Sequence, residues 1–311
     1  MSVAVIIPCY NVEHHVEAAV RSAWAQTLAP AEVIAVDDGS TDGTPALLAR
    51  LAIESPGRLQ VIIQPNMGAN AARNAGVRAT RSEFVQFLDA DDVLHPDKLA
   101  HQVALARAGA DVVVGGYRNR YVNGRAEEVV LPWPGDAWEG LVRTRMGTTS
   151  ANLFARGALL RSGGWDEQLR SSQDYELLFR LMKSGARVVM DMRETCSVLK
   201  RERGSISRTG ERENWLRYLQ LRQAMRDHLR TLDPERYQRV VQVADQHLFM
   251  AIRVLSKHDR QAAFAAFDRC IPMGFVPEFN KAVSRSYLGL YRLFGFRMAE
   301  RAAAIFSLLK G

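Results

Sequence analysis

Cysteine is scarce in this 311-residue chain: three residues, Cys9, Cys196 and Cys270, odd in number and far apart. That count fits neither a disulfide framework nor a zinc site of closely paired cysteines, and a reducing compartment is the economical expectation. No apolar run reaches the roughly 18 to 20 uncharged residues of a bilayer-spanning helix. No basic segment precedes a hydrophobic one at the N-terminus, as a secretory signal requires, so the expected location is cytoplasmic. Neither an internal repeat nor a low-complexity segment is present. What the chain does hold is apolar mass: 47% of the residues, enough to fill one large domain or two ordinary ones, which excludes disorder as a description of the whole.

Lysine is also scarce, six residues among 41 basic ones, so arginine carries the positive charge. The net charge is +7, but residues 200–311 alone hold 21 Lys and Arg against 11 Asp and Glu, which leaves the first 199 slightly acidic. Two readings of the basic third stand: it faces a polyanion or an anionic membrane surface, or it is a set of solvated helices.

The first 115 residues alternate buried-strand and amphipathic-helix patterns. Val3–Ile7, Glu32–Val36, Leu59–Ile63, Glu83–Leu88 and Asp111–Gly115 are short β-branched runs bounded by turn residues. Val12–Gln26, Thr44–Glu54, Ala69–Ala79 and Pro96–Ala108 between them read as helices. The rhythm predicts an α/β fold, a parallel sheet with helices on both faces. Such sheets take ligands beyond the carboxyl ends of their strands. From Gly116 the pattern loosens: Tyr117–Val122 and Glu127–Leu131 flank the hairpin signal Asn123-Gly124, and the run Pro132 to Gly135 marks a break. Ala151–Ala155 and Ala186–Met190 read as further strands, with a helix at Ser172–Lys183 between them. After Glu211 the pattern is helical. Val283, Tyr287, Leu290, Phe294, Met298, Ile305 and Leu309 recur at helical steps, with Arg285 and Arg292 off that stripe. A terminal helix of this kind lies in a membrane interface, packs on the N-terminal domain, or joins a second subunit in a homodimer.

Four loops at strand carboxyl ends carry polar clusters. In Pro8-Cys9-Tyr10-Asn11 an aromatic ring follows a buried strand, placed to stack on a nucleotide base or to serve as ordinary core. The segment Asp37 to Gly43 has three carboxylates and two glycines. A turn with Thr41 or Asp42 capping the next helix explains Asp42 better than the Asp37-Asp38 pair. In Asp89-Ala90-Asp91-Asp92, an extended backbone points Asp89 and Asp91 to one side, where their carboxylates converge on a hard cation such as Mg²⁺ or Mn²⁺. A cation there neutralises the charge on a departing diphosphate. Asp174 opens a helix after Gly163-Gly164-Trp165-Asp166. It is either a stabilising N-terminal charge or a general base, kept ionised by the same placement. Trp165 forms a stacking wall for a sugar or packs in the core. His14-His15 has no further His or Cys at ligand spacing.

The strings VIIPCYN (5–11), VDDGSTDGT (36–44), PNMGANAARNAG (65–76), FLDADD (87–92) and SQDYELLFRL (172–181) together closely resemble family 2 glycosyltransferases of the bacterial polysaccharide type. The resemblance spans residues 3–208. It implies the GT-A fold, a Rossmann-like, mostly parallel sheet flanked by helices, here followed by a helical C-terminal extension. It implies a catalytic domain over 1–208, with a nucleotide-binding half at 1–115 and an acceptor-binding half at 116–208, and a basic helical region at 209–311. By resemblance Pro8 and Tyr10 line the base pocket, Asp38 contacts the nucleobase, Arg73 lies near the nucleotide and Asp89 sits by the ribose or sugar. Asp91 binds the Mn²⁺ or Mg²⁺ that bridges the diphosphate, and Asp174 is the base of an inverting transfer. The donor implied is a nucleotide-diphosphate sugar, a UDP-sugar favoured; the acceptor is a saccharide or lipid-linked saccharide.

Two departures stand out. Many relatives have a Glu-Asp pair where this chain has Gln173-Asp174. Many also have a His shortly before a Ser-X-Ser, where Lys200-Arg201-Glu202-Arg203-Gly204-Ser205-Ile206-Ser207 puts Glu202. Either Glu202 serves as a metal ligand there, or Arg201 and Arg203 hold the diphosphate. A sugar nucleotidyltransferase needs a glycine-rich phosphate loop after the first strand, which Cys9-Tyr10-Asn11-Val12 is not, and no GxGxxG marks an oxidoreductase. A sugar nucleotidyltransferase, despite the missing loop, and a non-enzymatic protein binding a polyanion or membrane through its Arg-rich tail are the alternatives that stand; no nucleic-acid partner is expected, because no recognisable module is present.

Overall fold

A computed structural model describes residues 1–200, 211–280 and 282–308. The chain divides into two compact units, Met1–Ser205 and Ile206–Gly311.

The first unit opens with β1 (Val3–Cys9), α1 (Val16–Trp24), β2 (Glu32–Asp37), α2 (Thr44–Glu54), β3 (Gln60–Ile63), α3 (Ala69–Ala79) and β4 (Phe84–Phe87). It continues through β5 (Val93–Leu94), α4 (Lys98–Ala106), β6 (Val112–Tyr121), β7 (Glu128–Val130), α5 (Ala137–Val142), β8 (Leu153–Ala155), α6 (Arg156–Arg161), α7 (Gln173–Lys183) and β9 (Val188–Lys200). The sheet runs in the order β3-β2-β1-β4-β8-β6-β9-β5, with β7 paired to β6. Pairs β1–β2, β1–β4, β2–β3 and β6–β9 are parallel; β8 runs antiparallel to both β4 and β6. This is the mostly parallel sheet that the family resemblance implies.

Both faces of the sheet are covered, as the alternating pattern requires. On β2, Val33 and Ala35 pack toward α1, α2 and α4, whereas Ile34 and Val36 pack against Ala72 of α3. Strand progression runs outward from β1 to β3 and then returns to place β4 on the other side of β1. That reversal opens a crevice beyond the carboxyl ends of β1 and β4.

Several expectations need correction. The first helix starts at Val16, not Val12, because the Val12 amide donates to Thr44 Oγ1 at 2.9 Å and the preceding turn is tied to the loop after β2. The strand expected at Ala186–Met190 continues to Lys200 through a register shift at Gly115-Gly116, which accommodates its charged middle. Helices α5 and α6, six residues each, were not anticipated.

In the second unit, α8 (Glu211–Thr231), α9 (Pro234–His258), α10 (Arg260–Cys270) and α11 (Arg285–Leu308) gather around Phe249, whose ring meets Phe267, Phe275, Tyr287, Tyr291 and Phe296. Part of its charge is spent internally. Arg226 pairs with Asp245 at 2.9 Å, and Arg253 pairs with Glu300 at 2.6 Å. The stripe expected along the last helix does not keep one face: Val283 and Tyr287 are buried, but Phe294, Met298 and Ile305 are exposed. Gly295, at φ 75° and ψ 179°, interrupts α11 just after Phe294, so Met298 and Ile305 lie beyond a break in the helix. Leu309 lies outside the described residues.

Lys98 is a buried lysine in α4, its Nζ donating to Gln102 Oε1 at 2.5 Å. Burial pushes its pKa down to about 7, against the opposing pull of Cys196 and Asp191. Between pH 7 and the unfolded value near 10, the unfolded chain therefore holds a proton that the folded one has released, and stability rises with pH. Urea unfolding should show Lys98→Met more stable than wild type at pH 7 by on the order of 2 kcal/mol, with the gap closing by about pH 10.

Candidate active site

The crevice is lined by loops that the sequence ties together non-locally. After β1, Asn11 takes a left-handed conformation at φ 51°, which Asn tolerates, and its Oδ1 accepts from the Thr41 amide at 2.8 Å. Ser40 Oγ accepts from the Asn11 amide at 3.0 Å. Asp42, not Thr41, receives the Thr44 amide at the start of α2, and its other oxygen accepts from the Glu13 amide. Pro8 is half-buried and Tyr10 is 48% exposed, so Tyr10 is not core.

Asp38 is buried and well supplied with donors. Its Oδ1 accepts from Gln64 Nε2 at 2.7 Å and the Met67 amide at 2.9 Å, and its Oδ2 accepts from the Gly68 amide at 2.7 Å. Three of roughly four acceptor positions on a carboxylate are thus occupied by the entry to α3. Neighbouring Gly39 sits at φ 75°, and a Cβ there would lie 2.9 Å from the Asn66 amide nitrogen, so only glycine fits this turn.

Arg73, buried on α3, donates to Asp89 Oδ1 at 2.8 Å, to Asn70 Oδ1 at 3.0 Å and to Gln173 Oε1 at 3.4 Å. Its guanidinium lies 4.6 Å from the centre of the Trp165 ring. Trp165 is 3% exposed and packs edge-on against Phe87, so it supports Arg73 from the core. Asn74 brackets the same loop, accepting from the Trp165 amide and donating to the Trp165 carbonyl.

The loop after β4 does not stay extended, which removes the geometric reason for Asp89 and Asp91 to share a side. It turns, with the Asp92 amide donating to the Asp89 carbonyl at 2.9 Å. Asp92 is buried and accepts from Ser150 Oγ at 2.6 Å and the Leu199 amide at 3.1 Å. Burial, reinforced by the Asp89 and Asp91 carboxylates, drives its pKa well above the ordinary range. Asp174 opens α7 and accepts a hydrogen bond from Thr149 Oγ1. Desolvation raises its pKa, opposed by Arg73 and Thr149; the helix terminus therefore does not hold this group at an ordinary acidity.

The structure thus joins Arg73 to Asp89 and sets Asp174 within their electrostatic reach, with Asp91 on the same acidic turn. Glu202, Arg201, Arg203 and the Ser-X-Ser lie outside the described residues. Thr149, Ser150, Asn70 and Asn74 went unrecognised in the sequence, where isolated polar residues carry no signal of partners so far along the chain. Among the described residues no cluster of three or more His, Cys, Asp or Glu forms a ready cage. Asp89 and Asp91 are hard oxygen donors on one turn, the chemistry that suits a cation taking its remaining ligands from substrate phosphates.

Residues 4–161 match the sequence model of glycosyl transferase family 2. The chain belongs to that family. Among its relatives, an uncharacterised glycosyltransferase of Nostoc sp. is 41% identical over 113 residues, 36% of this chain and 35% of that one. The succinoglycan biosynthesis protein ExoO of Rhizobium meliloti is 31% identical over 203 residues, 61% of this chain and 58% of that one. The match therefore spans about a third of the length of the first relative and under two thirds of the second. Among solved structures, S. aureus TarS 1–349 in complex with UDP-GlcNAc superposes with a TM-score of 0.65 at 19% identity, covering 98% of this chain and 92% of that one. The mannosyltransferase PcManGT of Pyrobaculum calidifontis, in complex with GDP-Man and Mn²⁺, gives 0.58 at 22% identity, covering 98% and 86%. This family 2 chain shares their fold.

Because Asp38 holds the entry to α3 through charge-assisted hydrogen bonds, Asp38→Ala should lower stability by on the order of 3 kcal/mol in urea unfolding. An unchanged midpoint would show that the three donors find other partners.

Proposed function

We propose that the protein is an inverting glycosyltransferase that moves a sugar from a nucleotide-diphosphate donor, preferably a UDP-sugar, to a saccharide or lipid-linked saccharide in cell-surface polysaccharide synthesis. The observation that carries this reading is Arg73, which reaches both the acidic turn after β4 and the first residue of α7, so that Asp89 and Asp174 border one crevice. Support also comes from the relatives: one is named for succinoglycan biosynthesis, and TarS and PcManGT were solved with UDP-GlcNAc and GDP-Man.

In this reading Pro8, Tyr10 and Asp38 border the nucleobase, Arg73 and Asp89 orient the ribose and diphosphate, and Asp91 with Glu202 would hold Mn²⁺ or Mg²⁺. With a divalent cation bound, neutralisation of the charge on the departing diphosphate becomes available. Asp174 takes the proton of the acceptor hydroxyl, whose oxygen bonds to the anomeric carbon as the bond to the diphosphate oxygen breaks. A single displacement of this kind inverts the anomeric centre. The raised pKa of Asp174 suits a base, since a more basic carboxylate draws the proton more strongly. Thr149 Oγ1 donates to Oδ1 of that carboxylate and so restrains its rotation.

Calorimetric titration with UDP, GDP and their sugars, with and without Mn²⁺, should reveal metal-dependent binding of one nucleotide that Asp91→Ala loses. Absence of nucleotide binding by the folded protein under every condition would overturn the reading. Asp174→Asn should retain donor binding while turnover falls about 10²- to 10⁴-fold. Activity should fall on acidification as Asp174 is protonated, at a pH above the ordinary aspartate range. Thr149→Val removes a bond that favours the anion, so the acid limb of kcat/KM should move to higher pH, and Thr149→Ser should restore it.

A further inference from the structure

Beyond Gly295, α11 turns two dissimilar faces. Phe296, Ala299 and Glu300 point into the core of the second unit, at 3%, 0% and 6% exposure. The other face shows Met298 at 49%, Ile305 at 59% and Phe306 at 61%, and just before the break Leu293 and Phe294 stand at 76% and 61%. Apolar groups in such a run are uncommon on a surface that meets only water. Arg285, Arg292, Arg297 and Arg301 are also exposed on this helix. Its single acid, Glu300, is withdrawn from the surface, accepting from Arg253 Nε at 2.6 Å, Ser256 Oγ at 2.6 Å and Tyr287 Oη at 2.8 Å. Between Arg285 and Phe306 the exposed side of α11 therefore presents cations and apolar groups and no carboxylate.

That pairing selects the occupant. A nucleic acid would match the arginines and leave the apolar side chains unused; a purely apolar protein face would bury the arginines without counter-charge. An anionic lipid surface satisfies both at once, with apolar groups at the acyl boundary and guanidinium groups among the phosphates. Arg297 also pairs with Asp268 at 2.5 Å, which leaves Arg292 and Arg301 as the stronger contributors. We propose that the exposed side of α11, with Phe294 just before the break and Met298, Ile305 and Phe306 beyond it, docks in the interface of an anionic phospholipid bilayer. The proposal goes beyond the glycosyl-transfer chemistry and does not depend on it.

The test is flotation of the full chain with vesicles of phosphatidylcholine alone, or mixed with phosphatidylglycerol. Binding is expected only to the mixed vesicles, and weaker at about 0.5 M salt, where charges are screened. Arg292→Gln and Arg301→Gln should each weaken it about fivefold. The double variant Phe294→Ser, Ile305→Ser should weaken it by at least about tenfold. Ile53→Ser, an equally exposed apolar site on α2, should leave it unchanged. Circular dichroism of each variant establishes that it is folded. No flotation of the wild type, equal flotation of the α11 variants, or a dimer in ultracentrifugation that the double variant dissolves while vesicles stay unbound would each overturn the proposal.

Discussion

Arg73 is the cation on which the acidic end of the sheet depends. Parallel strands end at the same edge, and here β2 and β4 lead into Asp37, Asp38, Asp89, Asp91 and Asp92, so carboxylates gather where the strands stop. Such an edge folds only if each charge meets donors. Backbone amides and hydroxyls serve Asp37, Asp38, Asp92 and Asp174; Asp89 receives a full positive charge. The guanidinium that supplies it rests on Trp165, which rests on Phe87 at the end of β4. The layers stand or fall together, a ring in the core fixing a cation that fixes a carboxylate at the mouth of the crevice.

The alternation of strands and helices up to Gly115 was legible because central parallel strands appear as β-branched runs and their crossover helices carry a clear period. Legibility fell afterwards for a physical reason: α5 and α6 have six residues each, too few to establish any period. The charged middle of β9 hid its continuation. In the site, the acidic positions stood out at strand ends, but their partners did not. Asn70 meets the Asp166 carbonyl across 96 residues, and Ser150 meets Asp92 across 58. Asp92 looked like the third member of an acidic string, and only the fold reveals it as a buried clamp between that loop and β9.

Charge counting along the sequence also overstates the field of the last third. Arg226 is buried against Asp245, half-buried Arg253 pairs with Glu300, and Arg222 lies 2% exposed over the Tyr218 ring. Arginine here acts partly as core material, its planar head stacking on rings and its donors filling polar gaps between helices. The cationic character left for solvent is concentrated on fewer residues than the composition suggests.

Gly295 decides how the end of the described chain relates to its surroundings, and it does so through two dihedral angles alone. A Cβ at this position would meet nothing within 4 Å, so space is not what calls for glycine; the combination φ 75°, ψ 179° is one that side-chain-bearing residues scarcely reach. In an unbroken helix Met298, three turns beyond Tyr287, would fall on the same stripe as that buried ring. The orientation of the segment beyond position 295 therefore rests on one residue type, not on any contact that residue makes. A single codon at position 295 thus sets the course of the helix end while leaving the crevice residues untouched.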